Sequence, residues 1–141
     1  MTSTHLSVRV DESTLERLDA EIQRIGRTRS EVAKTLIEEG LRMAAHPGIM
    51  FRSGPAGRRA GLIGGPDIWE IATAVIGMKR DGCFSPERLA EIAIISLDRV
   101  GVALRYYAEY QDEIDEEVRR RDESSERRRA AWLREQALLA T

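Results

Sequence analysis

The stretch His5-Leu6-Ser7-Val8-Arg9-Val10 alternates polar and apolar side chains, and Asp11 follows it directly. A period of two marks a short strand that buries Leu6, Val8 and Val10 and turns His5, Ser7 and Arg9 the other way. Asp11 suits the N-cap of a helix carrying Leu15, Leu18, Ile22 and Ile25 at spacings of three and four. Gly26 is a natural stop for it, because a helix C-terminus favours a residue free to turn left-handed. Thr28-Arg29-Ser30-Glu31 reads as a capping box, hydroxyl and carboxylate each satisfying the other's free amide. It opens a second helix with Val32, Leu36, Ile37 and Leu41 on its inner face.

One six-residue strand is not a sheet, and its backbone groups require a partner that this segment does not supply. The economical partner is a second copy of the chain, paired antiparallel about a two-fold axis. Dimerisation is then part of folding, since so small a unit buries too little apolar surface alone.

The 141-residue chain is 42% hydrophobic and 33% charged, which excludes disorder throughout. Aromatics are only 5%, favouring helices packed with aliphatic residues over a sandwich or barrel. One cysteine, Cys83, excludes an internal disulfide framework and fits a reducing compartment. With two histidines and that single cysteine, no structural metal and no cofactor are expected. The N-terminus lacks the pattern of a secretory signal, and charges interrupt every apolar run, so a soluble cytoplasmic protein without a membrane partner is expected. Net charge is −2, too balanced to announce a nucleic-acid partner; what matters is where the charge sits. Residues 46–80 hold the basic excess, with five basic and two acidic side chains.

The first segment resembles the ribbon-helix-helix family of Arc, MetJ and CopG-type repressors. Leu6-Ser7-Val8-Arg9-Val10, Leu15-Glu16-Arg17-Leu18-Asp19 and Gly26-Arg27-Thr28-Arg29-Ser30-Glu31 carry the likeness, which spans roughly residues 4–44. The resemblance implies that the paired strands enter the DNA major groove, which admits a two-stranded ribbon. By position it makes His5, Ser7 and Arg9 the base readers, with Arg9 able to donate twice to guanine. It also sets Thr28, Arg29 and Ser30 at the positive end of the second helix, where a phosphate binds. The plain alternative is a solvated strand face and an ordinary cap.

His46-Pro47-Gly48 breaks the second helix. Ile49-Met50-Phe51-Arg52 and Arg58-Arg59-Ala60-Gly61-Leu62 flank Ser53-Gly54-Pro55-Ala56-Gly57, which predicts a hairpin. Beyond Gly64-Gly65-Pro66-Asp67 comes a helix bearing Ile68, Ile71, Val75 and Ile76, with Trp69 beside that stripe. Asp67 and Glu70 suit the dipole of its first turn. Ser85-Pro86-Glu87 starts a short helix carrying Leu89 and Ile92. Ser96 caps another, with Val100, Ala103, Leu104 and Tyr107 inward. The pair looks like a helix-turn-helix behind a hairpin, and periodicity does not separate DNA reading from plain packing. Arg58 and Arg59 are either phosphate contacts or edge charges that discourage aggregation. Trp69 and Tyr107 read as core or interface aromatics.

His46-Pro47-Gly48-Ile49, Gly54-Pro55-Ala56-Gly57-Arg58-Arg59, Trp69-Glu70, Ala103-Leu104-Arg105-Tyr106-Tyr107 and Asp112-Glu113-Ile114 bring a second resemblance, over about residues 46–118. They look like a small helix-turn-helix-related family encoded beside PIN-type ribonuclease toxins, as antitoxins of the VapBC class. Such domains often carry Gly-Thr-Arg after the hairpin, where this chain has Gly64-Gly65-Pro66-Asp67.

From Gln111 to Ala140 there is no proline or glycine, and helix is the expected ordered state. Ile114 and Val118 continue an apolar stripe; residues 119–129 are all polar, a solvated stretch or one disordered in isolation. Then Ala131, Trp132, Leu133, Leu138 and Leu139 return. Burying them is worth roughly 1.5–3 kcal/mol per large side chain before ordering costs, so they call for a surface to cover them. The resemblance implies that this surface is the toxin: Trp132, Leu133, Leu138 and Leu139 would dock on it, and Arg127, Arg128, Arg129 and Arg134 would approach its acidic metal site, since guanidinium pairs bidentately with carboxylates. The alternative is a helix folding back on its own domain or its dimer mate.

No positioned nucleophile, acid–base pair or phosphate-binding loop stands out, so an enzyme is not expected. The chain is expected to be mainly α: a ribbon-helix-helix dimer (residues 1–45), a hairpin-plus-helices module (46–110) and a long C-terminal helix that binds toxin or another partner (111–141). The function implied is an antitoxin, a homodimer on double-stranded operator DNA that neutralises a PIN-type ribonuclease. Alternatives are a stand-alone ribbon-helix-helix repressor and a helical interaction scaffold that does not bind DNA.

Overall fold

The computed structural model describes residues 2–140 and is mainly helical, with one small antiparallel sheet. The chain divides after Arg42 into two compact units, each described by itself.

In the first unit, residues 2–11 form no regular secondary structure. No backbone hydrogen bond joins residues 2–10 to any described residue, and Leu6, Val8 and Val10 are 51–69% exposed. The predicted strand is therefore not formed within the single chain, because an extended segment becomes a strand only beside another. Helix α1 spans Glu12–Ile25; the Asp11 carboxylate accepts the Thr14 amide at 3.0 Å, and Gly26 closes the helix at φ +75°. Helix α2 spans Arg29–Ala45. Its capping box forms as the spacing predicts: the Glu31 amide donates to the Thr28 hydroxyl (3.2 Å), and the Thr28 amide to the Glu31 carboxylate (3.4 Å). The apolar stripes, by contrast, are not covered. Val32 and Glu39 are the buried residues of these helices, whereas Leu15, Ile25, Leu36, Ile37 and Leu41 are exposed. The burial expected for those five does not occur in one chain, since two helices alone offer too little surface to enclose both stripes.

The second unit has its own core. Strands β1 (Ile49–Gly54) and β2 (Gly57–Leu62) pair antiparallel, with Ile49 opposite Leu62, Phe51 opposite Ala60 and Arg52 opposite Arg59. Gly48 precedes them at φ +101°, where an added Cβ would sit 3.2 Å from the Val102 side chain. Helices α3 (Ile68–Arg80), α4 (Pro86–Ala93), α5 (Leu97–Glu109) and α6 (Gln111–Leu139) follow. Ser85 and Ser96 cap α4 and α5 through the Arg88 and Arg99 amides. Leu62, Ile68, Ile71, Leu89, Val100 and Tyr106 are fully buried, and Ile114 and Val118 join them from α6.

Two expectations of the helical stripes are corrected, and a third is met in part. Ile76 is exposed because Ile71, Ala72, Val75 and Met78 already fill the inner face of α3. Ile92 is exposed near the end of α4, where Leu89 is the one buried residue. Tyr106 takes the central place on α5, leaving Leu104 half-buried. Residues 119–129 are helical and mostly exposed, and ion pairs of Arg119 with Glu116 and Glu123, and of Arg121 with Glu117, run along the first of these turns.

Candidate nucleic-acid interface and partner-binding helix

His5, Ser7 and Arg9 are all exposed on the extended segment ahead of α1. Thr28, Arg29 and Ser30 are exposed at the start of α2. Thr28 is committed to the capping box, while the Arg29 and Ser30 amides meet no acceptor among the described residues. The guanidinium of Arg29 lies 2.8 Å from the Asp19 carboxylate, with both side chains about half-exposed. An anion arriving at this helix end meets two open N–H groups, and a cation held by an exchangeable surface pair.

The hairpin puts Arg52 and Arg59 face to face, an arrangement that repels unless a counter-charge intervenes. Asp67 supplies it. Its two carboxylate oxygens accept from Arg52 Nη1 and Arg59 Nε, and Trp69 Nε1 donates to one of them at 3.3 Å. Arg52 also donates to the Leu62 and Gly65 carbonyls, while the Asp67 amide donates to Glu70 (2.8 Å) at the start of α3. Burial alone would raise the Asp67 carboxyl, but the Arg59 and Arg52 bonds outweigh it and hold the group below the usual carboxylate range. The Arg121 guanidinium stacks on the opposite partner of this knot, 4.1 Å from the Trp69 ring centre, tying α6 to α3. Arg59 is thus bound inside the fold, and of the adjacent pair only Arg58, with Nη1 2.9 Å from the Ser53 hydroxyl, is exposed. Sequence reasoning missed this centre. The signal was the Pro55-Ala56 loop, which sets Arg52 opposite Arg59 once it is taken as a two-residue turn.

A second unforeseen cluster surrounds His46, whose Nε2 pairs with Glu109 while its ring packs edge-on against Tyr106 at 5.2 Å. Tyr107 donates to Asp115, and burial together with that carboxylate pushes its hydroxyl above the ordinary tyrosine range. Cys83 is half-buried against the core.

Along α6 the arginines behave in two ways. Arg119 and Arg121 are paired, whereas Arg127, Arg128, Arg129 and Arg134 are exposed and form no ion pair with a described residue. Trp132, Leu133, Leu138 and Leu139 are 51–77% exposed on the same stretch. The last three turns interleave Ala131, Trp132, Leu133, Ala137, Leu138 and Leu139 with Arg134, Glu135 and Gln136, and all of them are exposed. Among the described residues no three histidine, cysteine or acidic side chains gather as metal ligands, and no helix is long and apolar enough to cross a membrane. No family model, curated protein or solved structure matches this chain.

Proposed function

We propose that this chain is a homodimeric, non-enzymatic antitoxin of the cytoplasm. Two copies of residues 5–10 pair as a ribbon in the major groove of operator DNA, and α6 neutralises a PIN-type ribonuclease. The observation that carries the reading is the state of the first unit: an extended segment with Leu6, Val8 and Val10 uncovered and its backbone unbonded, followed by two well-capped helices whose apolar stripes lie open. A second copy satisfies all of these at once, and the strand pair then presents His5, Ser7 and Arg9 together on one face. The α2 amides of Arg29 and Ser30 bind backbone phosphate, Arg29 exchanging Asp19 for it. Arg58 at the hairpin is a secondary contact for nucleic acid or partner.

The toxin half of the reading is supported by the contrast along α6, where unpaired arginines and exposed Trp132, Leu133, Leu138 and Leu139 share one helix end. Repression and neutralisation are coupled because one chain holds both surfaces.

Arg9→Ala tests the DNA half. Operator affinity on the DNA upstream of the gene falls by about 1–3 kcal/mol in a fluorescence-anisotropy titration; unchanged affinity sinks the ribbon assignment and leaves the helical scaffold. Truncation after Val118 tests the other half. The shortened chain keeps its DNA affinity and no longer rescues growth from the neighbouring gene product. If it still rescues, the tail is not the toxin-neutralising element; if neither the full nor the shortened chain rescues, the stand-alone repressor is the better reading.

A further inference from the structure

Helix α6 is a single helix of 29 residues in two different environments. Up to Ser124 it leans on the second unit: Ile114 and Val118 lie in the core, and Glu117, Arg121 and Ser124 are half-buried on the same side. Residues 125–140 are exposed without exception. The unsupported helix, residues 125–139, extends about 22 Å. Standing by itself, a helix of that length is marginal in water, because its first turn fixes many dihedrals for one hydrogen bond. Extending a turn that already exists costs far less. What holds the last supported turn of α6 therefore governs how helical the exposed part is.

That turn is held by an arginine where the apolar stripe calls for an aliphatic side chain. Arg121 follows Val118 at a spacing of three; its guanidinium lies 4.1 Å from the Trp69 ring centre, and Nη2 donates to Glu117 at 3.0 Å. The Arg121 side chain is 29% exposed, so its flat head covers the indole and still meets water, as suits the point where the helix leaves the core. Trp69 is itself fixed. It stands in the first turn of α3, and its Nε1 donates to Asp67, which Arg52 and Arg59 grip from the hairpin. An unbroken line of contacts thus runs from the hairpin through Asp67 and Trp69 to the place where α6 loses its support.

We propose that Trp69 and Arg121 are positioning residues of the partner-binding helix: their stack holds the last supported turn of α6, and residues 125–139 extend from it as a helix formed before the partner arrives. Arg127, Arg128, Arg129, Trp132 and Arg134 are then presented at fixed spacings, and the cost of ordering them is met within the free chain. This role rests on the reading of α6 as the toxin-binding element, and adds to it two residues that set its affinity without touching the toxin.

Amide hydrogen exchange on the full chain tests it with Arg121→Ala. Alanine is at least as good a helix former as arginine, so any loss of helix beyond position 124 comes from the missing stack. Amides of residues 125–139 exchange about fivefold faster, while those of α3 and α5 keep their rates; a packing role alone would speed all of them alike. Arg121→Lys, which keeps a cation over the ring, recovers part of the protection. Trp69→Leu accelerates the same amides, and adding Arg121→Ala to it changes little further, because the pair acts as one contact. Binding of the neighbouring gene's ribonuclease, measured by isothermal titration, weakens about fivefold with Arg121→Ala. Unchanged exchange over residues 125–139, or faster exchange with unchanged affinity, overturns the proposal. An unaltered chain that binds no product of the neighbouring gene overturns the toxin reading instead, and the exchange pattern still decides whether the stack holds the helix.

Discussion

The two units of this chain follow the same local rules and arrive at opposite outcomes. Helix α1 has an aspartate cap and a glycine stop, and α2 a full capping box; α4 and α5 have serine caps of the same quality. The second unit nonetheless encloses Leu62, Ile68, Ile71, Leu89, Val100 and Tyr106, while the first leaves Leu36, Ile37 and Leu41 in solvent. Helix signals are local, and they determine where a helix begins and ends. Enclosing a core takes several elements around a shared interior, and the second unit has a hairpin and four helices for the purpose. The first has two helices and an unbonded segment, and its apolar residues stay exposed.

The largest expected effect tests that difference directly. Leu89→Ala opens a cavity in a finished core and lowers stability by about 3 kcal/mol in urea unfolding, independent of protein concentration. Leu36→Ala, in the uncovered stripe, shifts unfolding only in a concentration-dependent manner, as expected when the lost contact is with a second copy. A concentration-independent loss of similar size for Leu36→Ala would erase the distinction between the units.

Next in size is Asp67→Ala, which leaves Arg52 and Arg59 facing one another without their counter-charge. About 2–3 kcal/mol is lost, discounted from the fully buried case because both arginines are about a quarter exposed. The sign of the pH dependence follows from the depressed carboxyl. Its contribution is present above the unfolded-state value near 3.9 and fades as pH falls through the lower folded value. Asp67→Asn, followed by thermal melts between pH 2 and 5, flattens that acid limb; an unchanged limb would mean the knot contributes nothing.

The smallest is Tyr107→Phe. Removal of the hydrogen bond to Asp115 costs about 1 kcal/mol. The folded hydroxyl is raised, so its stabilisation is complete below pH 10 and is lost as pH climbs toward the folded value. Wild-type stability measured from pH 9 to 11 declines accordingly, and the phenylalanine variant declines less.

The local elements of this protein are legible one by one in its sequence. Caps at Asp11, Thr28, Ser85 and Ser96, the stop at Gly26 and the hairpin around Pro55-Ala56 all depend on residues within four positions of each other. The exposure of Arg127, Arg128, Arg129 and Trp132 was similarly readable, because the run of polar residues before the tryptophan leaves no continuous stripe to bury. What only the tertiary structure decided are meetings between distant residues: Asp67 between Arg52 and Arg59, Arg121 on Trp69, His46 against Glu109 and Tyr106. It also chose which member of a stripe is buried, Val75 over Ile76 and Tyr106 over Leu104. A periodic pattern fixes a face to within about one residue's 100° of rotation, whereas the neighbours packed against that face select the side chain. Backbone capping is settled within a turn of the chain; burial and charge pairing are settled by what lies across the interior.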